Sequence, residues 1–141
     1  MLDSQGMVAE CTGENIFAVL NGRVVTPPEG SILAGITRDS LIQLAADLGW
    51  QVAPQPISRD QLYMADEVFV CGTAAEVIGL REIDFRVIGS GRTGPITRAL
   101  QEAYRAAVGG NHPRSAGWLA RIEVEGRSSR TVDDRRVASP C

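Results

Sequence analysis

Asn15-Ile16-Phe17-Ala18-Val19-Leu20-Asn21-Gly22-Arg23-Val24-Val25-Thr26 is the stretch that decides the fold. Two β-rich runs flank Asn21-Gly22. A type I′ turn needs positive φ at both central residues, and Asn-Gly supplies that with the least strain, so the segment predicts a hairpin. Pro27-Pro28 follows at once and ends the second strand, because a proline ring has no N–H to give to a ladder.

Outward from the hairpin, apolar spacing changes from strand to helix. Leu41, Ile42, Leu44, Ala45 and Leu48 fall on one face of a 3.6-residue period. Thr37 or Asp39 can cap the start of that helix, and Gly49 stands where a C′ glycine belongs. A second helix is predicted over residues 95–108. Pro95 suits its first position, Ile96, Ala99, Leu100, Ala103 and Ala107 share a face, and Gly109-Gly110 stop it. Between the helices, residues 51–57, 67–71, 77–83 and 85–88 read as short strands. Ser58-Arg59-Asp60-Gln61 has the capping-box pattern of a short helical turn. Strands interspersed with two good helices predict an α/β (α+β) domain. The pattern decays after Gly110. Trp118-Leu119 can pack, whereas residues 121–141 are low in apolar content and read as a disordered tail.

A chain of 141 residues with 44% hydrophobic and 22% charged side chains is long enough for one domain with a buried core. The net charge of -3 argues against nucleic acid or an anionic membrane surface as partner. No apolar run reaches the ~20 residues of a spanning helix, and the start has no secretory pattern, so a cytoplasmic setting is expected. Cys11, Cys71 and Cys141 form neither a disulfide framework nor a zinc pattern, and no metal site is expected. All 14 basic residues are arginine. With no lysine, the chain has no side-chain primary amine to form a Schiff base with an aldehyde cofactor.

Three segments carry chemistry. Glu10-Cys11-Thr12-Gly13-Glu14-Asn15 is either a solvated loop with a turn glycine or a carboxylate-bearing site. Gly35-Ile36-Thr37-Arg38-Asp39 opens a helix, and is either a plain helix start or an anion site made by free N–H groups and the helix dipole. Cys71-Gly72-Thr73-Ala74-Ala75-Glu76 runs from a strand into a small-residue turn, where backbone N–H groups can approach a ligand. His112, beside Pro113, reads as a surface loop residue, and Cys71 as a small filler at a strand end.

In the order Glu10-x-x-Gly13-Glu14-Asn15-Ile16-Phe17, Pro27-Pro28, Gly35-Ile36-Thr37-Arg38-Asp39, Ala65-Asp66-Glu67-Val68-Phe69, Gly72-Thr73-Ala74-Ala75-Glu76 and Gly94-Pro95-Ile96-Thr97, the chain resembles the second half of the branched-chain aminotransferases. These are fold-type-IV enzymes of pyridoxal 5′-phosphate (PLP). The resemblance covers about Leu2 to Leu119. It implies a PLP-binding C-terminal domain over 1–120, a pseudo-barrel of strands with helices packed outside. It implies amino-group transfer between branched-chain L-amino acids and 2-oxo acids, and a homo-oligomer for the complete enzyme. Carried over residue by residue, Glu10 matches the acidic partner that keeps the cofactor's pyridine nitrogen protonated. Glu14 matches a supporting glutamate. Gly35, Ile36 (through its backbone) and Thr37 match the phosphate-binding segment, Thr73 a further phosphate contact, and the backbone of Ala74 the group that receives the substrate α-carboxylate.

The family's Schiff-base lysine, a phosphate-binding arginine and the N-terminal domain belong upstream of the matched segment. The chain therefore reads as an incomplete piece of such an enzyme, from a split gene or a shortened form, with no catalytic residue of its own. The alternative expectations are a non-catalytic PLP-binding or interaction remnant, and a piece of a related D-amino acid aminotransferase or aminodeoxychorismate lyase. The Gly72-Thr73-Ala74-Ala75 form favours the branched-chain type.

Overall fold

The hairpin forms as read. β1 (Asn15–Leu20) and β2 (Arg23–Thr26) pair antiparallel with Leu20 opposite Arg23. Asn21 and Gly22 both take positive φ, 51° and 75°, as a type I′ turn requires. The computed structural model describes residues 1–120 and Ile122; apart from Ile122, the tail expected over 121–141 lies outside the described residues. Beyond the hairpin come α1 (Ile36–Asp47), β3 (Val52–Pro54), α2 (Arg59–Tyr63), β4 (Glu67–Gly72), β5 (Glu76–Gly79), β6 (Glu82–Ile83), β7 (Arg86–Val87), α3 (Pro95–Val108) and α4 (Ser115–Trp118).

Five strands make one sheet in the order β3-β2-β1-β4-β5, with β2 and β3 parallel and every other pair antiparallel. β6 and β7 form a separate ribbon. The central strands are apolar on both sides, because both faces of the sheet are covered. On one face Phe17, Val19, Val24, Phe69, Cys71 and Val77 pack with Leu41, Leu44 and Ala45 of α1 and Leu100 and Ala107 of α3. Ile16, Ala18, Val25, Val68 and Val70 alternate onto the other face, where Val8, Ile57, Leu62 of α2, Ala65 and Ile88 cover them. Phe17 lies directly opposite Phe69 in the ladder, and their rings stack at 4.9 Å and 3°. A stacked pair of this kind contributes about 0.5–1.5 kcal/mol beyond its area. The α/β class and the helices outside the strands stand as expected.

Several boundaries move. The strand expected over 51–57 shrinks to β3, because its partner β2 ends at Thr26 before Pro27-Pro28; Gln55 N still donates to Thr26 O at 2.9 Å, and no ladder follows. The strand expected over 77–83 breaks in two, β5 pairing with β4 and β6 turning away to pair with β7. α1 is not capped by Thr37 or Asp39: its N-cap is Gly35, and no side chain caps its first turn. Thr37 already lies inside the helix and is buried at 6% exposure, while Asp39 bonds Gln43 instead. The other end behaves as the glycine predicts. Gly49 (φ 84°) donates to Ala46 O and Trp50 to Ala45 O, the paired bonds of a Schellman motif. α2 carries the full capping box between Ser58 and Gln61. α4 follows Gly110, where no helix was expected, and brings Trp118 onto the first core.

Candidate functional site

The three chemistry-bearing segments converge on one end of the sheet. β1 starts at Asn15 opposite Cys71, near the end of β4, so loops 10–14 and 73–75 leave the sheet side by side. Gly72 is where they touch: a Cβ there would stand 3.0 Å from the Gly13 carbonyl oxygen, so the approach favours glycine. β2 ends at the same edge, where the Thr26 hydroxyl donates to Ile16 O at 2.9 Å. Arg38, 3% exposed, pins the first turn of α1 to that strand end. Its guanidinium donates to Pro27 O at 3.2 Å and to Glu29 at 3.1 Å.

Glu10 is tied into this edge through one oxygen. Its Oε2 accepts from Asn15 Nδ2 at 3.1 Å and from Leu33 N at 3.0 Å. Among the described residues, Oε1 receives no hydrogen bond. Asn15 also donates to Leu33 O at 2.9 Å, and Gly35 N closes onto the same carbonyl. A Cβ on Gly35 would overlap Asn15 Oδ1, so any side chain there would have to displace the Asn15 amide. Asn15 stands in the acidic motif but was given no role of its own from the sequence. Its signal was a polar residue heading an otherwise apolar strand, and the structure buries it at 6% exposure. Glu14 does not reach Glu10; its carboxylate accepts from Gly13 N at 3.2 Å. Thr73 and Ala74 are exposed at the tip of the β4–β5 turn, the side chain of Ile36 is 86% exposed, and Thr37 is buried beside it.

The two long helices begin alike, Gly35-Ile36-Thr37-Arg38 and Gly94-Pro95-Ile96-Thr97-Arg98, and differ in what meets their N–H groups. In α3 the buried Glu67 carboxylate accepts from Ile96 N at 3.0 Å, Thr97 N at 2.8 Å and Thr97 Oγ1 at 2.7 Å. An N-terminal helix end favours negative charge in this way. α1 offers the same kind of end with no side-chain cap among the described residues.

Cys71 is buried beneath this edge, and desolvation pushes its thiol up to about 12. Burial also raises the Cys11 thiol, against the pull of the chain's amino terminus. A cavity of about 320 Å³ opens below Glu10, lined by Val8, Ile16, Leu62, Leu80, Arg59 and Tyr63 among others. His112 stands away from this edge, in the loop between α3 and α4, where its Nδ1 accepts from Arg114 N at 3.2 Å. No helix of the described residues is long and apolar enough to cross a membrane.

Fold and site together define an α/β domain whose sheet edge gathers an acidic loop, an open helix start and a small-residue turn. The chain belongs to the amino-transferase class IV family, whose model matches residues 1–83. It is 48% identical over 123 residues to the branched-chain-amino-acid aminotransferase of Pseudomonas aeruginosa, covering 87% of this chain and 40% of that protein. A probable branched-chain-amino-acid aminotransferase of Aquifex aeolicus is 52% identical over 124 residues, covering 86% and 40%. Among solved structures, the branched-chain amino acid aminotransferase of Thermobaculum terrenum in its PLP form matches with a TM-score of 0.82 at 42% identity, covering 85% of this chain and 40% of that one. The Escherichia coli enzyme matches with a TM-score of 0.83 at 45% identity, covering 86% and 40%. The chain thus spans about 40% of the length of the relatives it matches.

Proposed function

We propose that these residues form the PLP-holding part of a branched-chain L-amino acid:2-oxoglutarate aminotransferase. The observation that carries this reading is the pair of helix starts. Glu67 fills the end of α3, and the matching end of α1 is open, next to a glutamate with one uncommitted oxygen. Such a site suits a molecule with a dianionic phosphate at one end and a pyridine nitrogen at the other. PLP is that molecule, and when bound it supplies an electron-withdrawing ring for amino-group transfer. In this reading the N–H groups of Ile36 and Thr37 and the Thr37 hydroxyl hold the phosphate, with Thr73 adding a contact. Glu10 Oε1 faces the ring nitrogen, and the Ala74 N–H receives the α-carboxylate of substrate. A relative at 50% identity has been solved in complex with 4-methylvaleric acid, a branched carboxylate, which supports the substrate class.

The absence of lysine favours a second reading for these 141 residues on their own, a module that binds PLP without turning it over. Borohydride reduction of the chain with PLP should then leave no pyridoxyl group on any side chain, and transaminase assays should read zero. The test of the site itself is titration with PLP and with pyridoxal. Each charge-assisted hydrogen bond to phosphate is worth roughly 1.5–3 kcal/mol, so Thr37→Val should weaken PLP binding by about tenfold or more. Pyridoxal should bind poorly to parent and variant alike. Equal binding of PLP and pyridoxal, or a Thr37→Val chain that binds like the parent, would overturn the assignment.

A further inference from the structure

The position of Asn15 leads to a role that the motif match does not give it. We propose that Asn15 is a positioning residue, one that sets the aim of Glu10 relative to the start of α1. This inference rests on the cofactor reading above.

The geometry is a single buried amide joining the two halves of the site. One Nδ2 reaches Glu10 Oε2 at 3.1 Å and Leu33 O at 2.9 Å, so both of its N–H bonds are committed. Leu33 returns its own N–H to the same glutamate oxygen at 3.0 Å. The three groups form a closed ring of hydrogen bonds. The ring occupies Oε2 while leaving Oε1 available, and it fixes residues 33–35 one step before the open helix end. The Asn15 backbone is held in β1 opposite Cys71, which anchors the amide to the sheet. Gly35 packs against Oδ1 so closely that no side chain fits between them. A carboxylate acceptor for a ring nitrogen and a phosphate cradle at fixed separation need such a rigid link, since small misplacements of a binding group carry large penalties. Glu14, the other acidic residue of the motif, makes no contact of this kind: its bond is to Gly13.

The test uses 4′-deoxypyridoxine 5′-phosphate, which keeps ring and phosphate but has no aldehyde. Its absorbance reports protonation of the ring nitrogen, a readout independent of catalysis. Bound to the parent chain, that nitrogen should titrate at higher pH than in the free probe, since a carboxylate within reach moves a titration by roughly 1–3 units. Asn15→Ala and Asn15→Leu, which remove the amide without adding charge, should return it by about one unit or more. Thr37→Val should weaken probe binding about tenfold and leave the titration of the bound probe where it was. Should Asn15→Ala not fold, Gly35→Ala reads the same link, because its Cβ displaces the Asn15 amide. Folded Asn15→Leu and Gly35→Ala chains that keep the parent titration would overturn the positioning role and leave the cofactor reading intact. A parent chain that does not bind the probe removes the cofactor reading, and this inference with it.

Discussion

Cys71 lies near the end of β4 with its thiol desolvated and held at about 12, far above the range in which a thiolate forms in neutral solution. In native protein at about pH 8, iodoacetamide should leave the Cys71 peptide unmodified, and alkylation should appear there only after denaturation, as read by peptide mapping. Cys71 was legible in the sequence as a small strand-end filler, because a thiol inside an apolar run next to a glycine turn has little else to do. Asn15 was not legible. What it bonds depends on Leu33 and on Glu10, and no spacing rule links those positions. Thr37 shows the same limit. Its hydroxyl-bearing side chain and place before an apolar stripe predict a cap, but the cap role goes to whichever residue leaves helical geometry, and that is Gly35 (ψ 135°).

Among elements, α3 takes the acceptor for its first turn from outside itself. Glu67 satisfies three donors of its first turn, two N–H groups and a hydroxyl. Removing a buried acceptor strands those donors, so Glu67→Ala should cost on the order of 3 kcal/mol in urea unfolding, and Glu67→Gln less. The β6–β7 ribbon carries the opposite feature, a built-in strain. Asp84 and Phe85 turn at φ 51° and 61°, and Phe85 is 98% exposed, so its ring gains nothing from packing. The turn persists because Tyr63 OH donates to Asp84 at 2.5 Å and Arg86 lies over the Tyr63 ring at 4.7 Å. Phe85→Gly should raise the unfolding free energy by about 0.5–1 kcal/mol, the balance of left-handed strain against glycine's entropy. The ends of α1 and α4 are joined by Arg114, which grips Asp47 at 2.5 and 2.7 Å. The Arg114 hydrogen bonds hold the Asp47 carboxyl below its ordinary value of 3.8. That contribution is complete above the ordinary value and is lost as the pH falls through the lowered one. Between about pH 5 and pH 2, Asp47→Asn should show a shallower loss of urea midpoint than the parent. Helix and hairpin existence were legible because period, Asn-Gly, Gly49 and Ser58 act locally. The β5–β6 break and α4 were not, because pairing with β7 and packing of Trp118 decide them.

At the scale of the whole molecule, apolar side chains stand uncovered at the site edge, at the end of α2 and on the ribbon: Leu33 at 72%, Ile36 at 86%, Met64 at 83% and Phe85 at 98% exposure. Surface of this kind favours association, so sedimentation velocity should show species heavier than 15.1 kDa growing with concentration, and a melting temperature that depends on it. A concentration-independent monomer would contradict this. The occupied start of α3 also has a use of a different kind, as an internal tenant whose eviction leaves a lodging. In Glu67→Ala the vacated space beside Ile96 and Thr97 keeps its donors and loses its acceptor. Formate or acetate from solution then has room to settle there, and each tenfold rise in its concentration above the dissociation constant would return about 1.4 kcal/mol of stability to the variant, with no matching gain in the parent.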